Sequence, residues 1–223
     1  MNIGGAETHI LELSRALAAR GHDVTVASAG GVYAEKLGDF GVKHEKIPLD
    51  SKNPASVLRS FSGLARLMER ECFDIVHAHA RIPAFICGRL KRKYGFAFIT
   101  TVHFDFRVNP VLRALSDWGE HTLAVSEDLA EGTAKKYGIA REKITVIRNG
   151  IDTARFSPQV IGEEVRARAG LEGRRVIMYL GRLDADSFLP ARLLLAAAED
   201  IYREHSGARI LIVGEGAKKR ELA

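Results

Sequence analysis

The sequence predicts an α/β fold: a parallel sheet with helices on both faces, followed by the start of a second unit of the same kind. Three observations lead there. Short apolar, β-branched runs alternate with helical patterns, so consecutive strands need crossovers and lie parallel. A segment of different texture, residues 152–158, separates two such series. The 223 residues suffice for one full α/β domain and part of another.

The elements follow in order. Residues 7–20 carry Ile10, Leu13, Leu17 and Ala18 at helical spacing, and Gly21 ends the run. Residues 24–27 and 42–49 read as strands. Pro54 opens a helix that runs to Arg70, since its missing N–H costs nothing in a first turn. Residues 74–79 form a buried-type strand, residues 83–94 a helix, and residues 96–103 the most β-rich segment. A helix is expected over residues 110–118 and a strand over 122–125. Ser126 caps a helix over 127–137, which Gly138 ends, and residues 143–147 make a further strand. The first domain is thus assigned to residues 1–152, a linker to 153–172, and an incomplete domain to 173–223. In that last part residues 175–180 and 209–213 read as strands, residues 191–204 as a helix, and another helix begins near Ala217. A glycine loop that opens a helix in a doubly wound sheet follows the first strand, which lies mid-sheet. Only Met1, Asn2 and Ile3 precede that loop, so about 5–10 residues of strand are expected to be missing, with a slot in the sheet beside residues 24–27.

Composition excludes several classes. Hydrophobic residues make up 46% and charged residues 27%, as in ordinary globular proteins. No apolar run approaches the ~20 residues of a membrane span, and the first residues lack signal-peptide character. Cys72 and Cys87 have no metal-ligand spacing and suit a reducing cytoplasm. The net charge of +5 comes without the interleaved aromatics of a nucleic-acid platform, so no nucleic acid is expected. The densest basic run, residues 89–93, reads first as a solvated helix end and second as a contact with an anionic membrane face or an acidic ligand.

Four places carry candidate chemistry. Gly4 and Gly5 open the first helix, where free N–H groups favour a phosphate or a sugar hydroxyl. His77, His79 and His103 sit at strand carboxyl ends, where open α/β sheets bind ligands, and strand alternation puts His77 and His79 on one face. No carboxylate or cysteine is spaced to complete a metal site with them, and His77 reads more simply as a loop histidine satisfied by hydrogen bonds. Gly181 and Arg182 follow a strand, and an arginine there binds a diphosphate or pairs with Asp184 or Asp186. Gly214, Glu215 and Gly216 form a strand-to-helix turn that is a candidate nucleotide contact. The third glycine of a dinucleotide fingerprint would fall at Lys219, which disfavours a nicotinamide enzyme.

The order of these segments is more specific than any one of them. Gly4-Gly5-Ala6-Glu7-Thr8-His9, Phe73-Asp74-Ile75-Val76-His77-Ala78-His79, Thr101-Val102-His103 and Ala124-Val125-Ser126-Glu127 come first. Val146-Ile147-Arg148-Asn149-Gly150-Ile151-Asp152, Phe156-Ser157-Pro158, Tyr179-Leu180-Gly181-Arg182-Leu183 and Ile212-Val213-Gly214-Glu215-Gly216 follow. Over the whole chain this series resembles the retaining glycosyltransferases of family 4, with the GT-B fold. The resemblance implies two Rossmann-like domains facing a cleft, an acceptor side first and a nucleotide-sugar donor side second. It implies transfer of a sugar to a hydroxyl of a glycan, lipid-linked or small-molecule acceptor with retention, without a required metal or other cofactor. Cell-envelope or exopolysaccharide glycan is the product class that goes with it. It makes His103 the catalytic residue at the transferred sugar. Gly4, Gly5, His79, Ser126 and Asn149 become substrate-binding, and Arg182 with Gly181 becomes diphosphate-binding. Gly5, His103 and Arg182 would then face one groove. Where the family carries a lysine and a glycine shortly after that arginine, this chain has Ser187 and Phe188. The paired glutamates of the family's donor domain lie beyond Ala223, so this chain alone is expected to be inactive. Two alternatives stay open: a non-catalytic sugar- or nucleotide-binding fragment of this fold, and an enzyme akin to nucleotide-sugar epimerases.

Overall fold

The computed structural model describes residues 1–105, 109–110, 113, 115–185 and 187–222. They form two compact units, Met1–Gly150 and Ile151–Ala223. The helix expected over residues 110–118 lies partly outside the described residues.

The first unit opens with helix α1, Gly5–Ala18, whose chain enters in extended form at Gly4. Gly21, at φ +85°, turns the chain out of it. Strand β1, Thr25–Ser28, pairs in parallel with β2, Lys43–Lys46, in the register Thr25 to Lys43. Between them lies a five-residue helix α2, Val32–Lys36, which the sequence pattern does not announce. Helix α3, Pro54–Arg70, begins where expected: Asn53 accepts the Ala55 N–H at 2.9 Å and Pro54 occupies the first turn. Strand β3, Ile75–Ala78, leads to helix α4, Arg81–Tyr94, which ends at the left-handed Gly95. Strands β4, Ala97–Val102, and β5, His121–Ala124, then helix α5, Glu127–Tyr137, and β6, Ile144–Val146, complete the unit. Among the described residues β3, β4, β5 and β6 form one parallel sheet in that order. Ala78 is level with Thr100 and Val102 with Ala124, so the residues after β3, β4 and β5 emerge along one edge.

Three apolar clusters hold the unit. Leu64, Leu67 and Met68 of α3 pack with Ile86, Cys87 and Leu90 of α4, with Phe96 and Phe98, and with Ile47 after β2. Leu11 of α1 meets Leu37 and Val42 in a second cluster, and Ala124, Ala130 and Ile144 make a third. Burial pushes the Cys87 thiol up to about 12, so it stays protonated and inert in the core. Among the described residues no ladder joins β1 to β3: β1 pairs with β2 and β3 with β4. The sheet is therefore interrupted beside β1, and the two pieces meet through side chains, with Ala27 and Leu49 packed against the cluster that contains Ala78. Among the described residues no helix is long and apolar enough to cross a membrane.

The second unit contains helix α6, Glu163–Arg168, inside the stretch assigned to a linker. Parallel strands β7, Arg175–Leu180, and β8, Ala208–Val213, follow in the register Arg175 to Ala208. The single helix expected over residues 191–204 is two, α7, Leu189–Ala196, and α8, Ala198–Glu204, which meet at Ala197. Ala197 has near-zero ψ, and alanine gives no sequence signal for such a break. The helix expected from Ala217 is one 3₁₀ turn, Lys219–Glu221.

Candidate functional site

The carboxyl edge of the four-stranded sheet gathers histidines. His79 follows β3 and His103 follows β4, and the parallel register brings His79 Nδ1 to 3.0 Å from His103 Nε2. His9, on the second turn of α1, completes the group, its ring centroid 5.7 Å from that of His79 and 5.1 Å from that of His103. The His77 ring lies 4.0 Å from that of His79, as strand alternation requires, and its Nε2 is 2.7 Å from Thr101 Oγ1. The simpler reading of His77, a histidine satisfied by a local hydrogen bond, describes its geometry.

Burial favours uncharged imidazole throughout this cluster. It lowers His77 and His103 to about 4, holds His79 well below its usual value, and lowers His9. Mutual repulsion between the rings acts in the same direction on His77, His79 and His103. Neutral imidazole offers one donor and one acceptor, the pair needed to hold a sugar hydroxyl. The Nδ1 of His103 is buried without a hydrogen-bond partner among the described residues.

The sequence-derived residues of the first unit do not all join this cluster. His79 and His103 do, and Asn149 is tied to it by a side-chain hydrogen bond to His9. Gly4 and Gly5 start the helix that carries His9, one turn away. A Cβ on Gly5 would meet nothing within 4 Å, so nothing in the described protein occupies the space in front of it. Ser126 is the N-cap of α5 and accepts the Leu129 N–H at 3.3 Å, a structural role that accounts for its residue type. His9 is the member that sequence reading missed. Its only signal was its place one turn after the glycine pair, because a helix residue shares no strand alternation with His77 and His79.

The second unit places its candidates on two neighbouring loops. Gly181 N–H donates to Val213 O at 3.1 Å, Leu183 N–H to Glu215 O at 2.9 Å, and Lys218 N–H to Leu183 O at 2.8 Å. A Cβ on Gly214 would lie 1.9 Å from Gly181 O, and one on Gly216 would lie 2.3 Å from the Leu183 carbonyl carbon. Both glycines are therefore required by the approach of the two loops. Gly214→Ala is expected to lower the stability of this unit by about 1–3 kcal/mol, read as faster proteolysis within residues 151–223. Wild-type resistance of the variant would show that the loops separate at no cost. Arg182 is exposed and donates through Nε to Asp184 Oδ2 at 2.9 Å. That bond, then the Ala217 N–H, holds the Asp184 carboxyl below its usual range. A diphosphate would exchange with Asp184 for the same guanidinium face. The other partner considered, Asp186, lies outside the described residues. Glu215 pairs with Lys219.

The basic run on α4 is engaged within the first unit: Lys91 pairs with Glu120, Lys93 with Glu69, and the Arg89 guanidinium lies 3.7 Å from the Phe85 ring centroid.

The chain is 25% identical over 254 residues to glycogen synthase of Mycobacterium tuberculosis, covering 97% of this chain and 59% of that protein. It is 26% identical over 223 residues to spore coat protein SA of Bacillus subtilis, covering 95% and 56%. The chain thus spans less than two thirds of the length of these relatives. The Anabaena protein HepE, solved in complex with UDP and glucose, superposes with a TM-score of 0.73 at 15% identity, over 98% of this chain and 60% of that one. That likeness shows the fold. The profile of Glycosyltransferase Family 4 matches residues 3–155, and the chain belongs to that family.

Proposed function

We propose that this chain contributes to transfer of a sugar from a nucleotide-sugar donor to a hydroxyl acceptor, with retention at the anomeric carbon. Cell-envelope or exopolysaccharide glycan is the proposed product class. The observation that carries the reading is the cluster of His9, His79 and His103 at the carboxyl edge of β3 and β4, beside the start of α1. Its imidazoles are neutral, so they can hold sugar hydroxyls without attracting or repelling charge. His103 is the residue proposed to hold the transferred sugar through its imidazole. His79 and Asn149 position it, directly and through His9. As the donor bond breaks, negative charge grows on the departing diphosphate, and Arg182 is the cation proposed to stabilise it, with Gly181 at its side. The relative solved with UDP and glucose supports a nucleotide-sugar donor. No step requires a metal.

The test is saturation-transfer NMR on the 223-residue chain with a panel of UDP-, GDP- and ADP-sugars. Contacts of about millimolar affinity are expected, near the floor of −4 kcal/mol. His103→Ala should remove the contacts to the sugar, and Arg182→Ala those to the nucleoside diphosphate. Release of nucleoside diphosphate by the chain alone is expected to be absent. Epimerised nucleotide sugar, formed without an acceptor, would overturn the reading, as would contacts unchanged in both variants.

A further inference from the structure

The histidine cluster has a second chemistry. One ligand atom from each of His9, His79 and His103 can be chosen so that all three lie within 4.8 Å of one another. Zinc bonded tetrahedrally to imidazole at about 2.0–2.1 Å holds its nitrogens about 3.3 Å apart. His79 Nδ1 and His103 Nε2, at 3.0 Å, already have nearly that separation. The third ring needs only to close in from α1, and its own hydrogen bond to Asn149 supplies the outer contact that fixes a metal-bound imidazole. His77 is not a fourth ligand, because its Nε2 is engaged by Thr101.

We propose that His9, His79 and His103 capture one zinc-class divalent ion through three imidazole nitrogens, leaving a fourth position open to water or a ligand oxygen. Imidazole selects zinc, cobalt, nickel and copper over magnesium and calcium, which prefer oxygen. The cluster brings no carboxylate to the ion, so its charge is balanced by whatever anion takes the open position. The site differs from a cofactor site in its consequence. If His103 holds the transferred sugar, as proposed above, ion and sugar compete for one imidazole, and the ion inhibits transfer. Capture itself does not depend on that reading and is measured without any nucleotide sugar.

The experiment uses tag-free chain stripped with a chelator and titrated with Co²⁺, whose visible absorption reports tetrahedral nitrogen ligation, and then with Zn²⁺. One Co²⁺ per chain is expected, displaced by Zn²⁺ and not by Mg²⁺. Loss of an outer-shell partner costs about 10–100-fold in metal affinity, so His9→Asn, His79→Asn and His103→Asn should each weaken binding by more than about tenfold. His121→Asn, on a residue whose Nε2 instead meets Thr145 Oγ1, should leave it unchanged. Urea midpoints in chelator establish which variants fold, and any one folded ligand variant suffices for the comparison. Absence of the cobalt band at micromolar ion overturns the proposal, as does equal weakening by His121→Asn. Binding that resists all folded ligand variants places the ion elsewhere and overturns it as well.

Discussion

Acidifying the chain from pH 7 to pH 4.5 in chelator should remove on the order of 2–5 kcal/mol of its stability, since one unit of pKa shift corresponds to about 1.4 kcal/mol. The cause is burial of uncharged imidazoles. His77 and His103 hold protons only below about 4 in the folded chain but near 6.5 once unfolded, and His79 is lowered further. Between those values the unfolded chain binds more protons, so acid draws the equilibrium toward it; the effect fades through the unfolded value near 6.5 and is gone by about one pH unit above it. Urea midpoints measured from pH 7.5 to 4.5 should fall steadily, and His77→Gln should flatten the slope by about one proton's worth. A midpoint that holds constant over that range would show that the rings are open to water.

Phe98→Ala should remove a large share of the first unit's stability at 25 °C. Phe98 lies in β4, an inner strand of the four-stranded sheet, is 1% exposed, and meets Phe96 edge-to-face at 6.3 Å between ring centroids. Truncations of this kind cost about 3–5 kcal/mol, against a typical total of about 5–15. Phe98→Leu keeps most of the volume and should cost less than about 1.5 kcal/mol. Circular dichroism with urea titration separates the two, and equal losses in both variants would mean that ring shape rather than filled volume matters there.

The parts of this fold that could be read from sequence are those set by local chemistry. Pro54 places the start of α3, and Ser126 with Gly138 places both ends of α5, because caps act within one turn. The strand over residues 175–180 was legible from the unbroken apolar run 176–180 that follows two arginines and ends at Gly181. Helix α6 was not, since none of its residues is buried and no apolar stripe exists to read. Helix α2 depends on Gly31 at φ +120°, where a Cβ would meet the Met1 carbonyl at 2.7 Å, a contact between residues thirty positions apart. The site divides in the same way. His79 and His103 were legible because strand ends converge in parallel sheets, whereas His9 joins them only through the packing of α1. The glycines at 214 and 216 were seen, but the reason for them, two loops in backbone contact, is a tertiary fact.

The interruption beside β1 leaves the first unit in two pieces that share no backbone ladder among the described residues. Helix α1, α2, β1 and β2 share a cluster of their own around Leu11, Leu37 and Val42, and they meet the larger sheet through Ile47, Ala27 and Leu49 rather than through a ladder. Such a piece can swing open as a cooperative subunit at a free energy below that of global unfolding. Since His9 rides on this piece while His79 and His103 ride on the larger one, the histidine cluster exists only in the closed state. A ligand that bridges the three rings therefore acts as a latch, and its occupancy would be recorded far from the rings, as slower hydrogen exchange along β1.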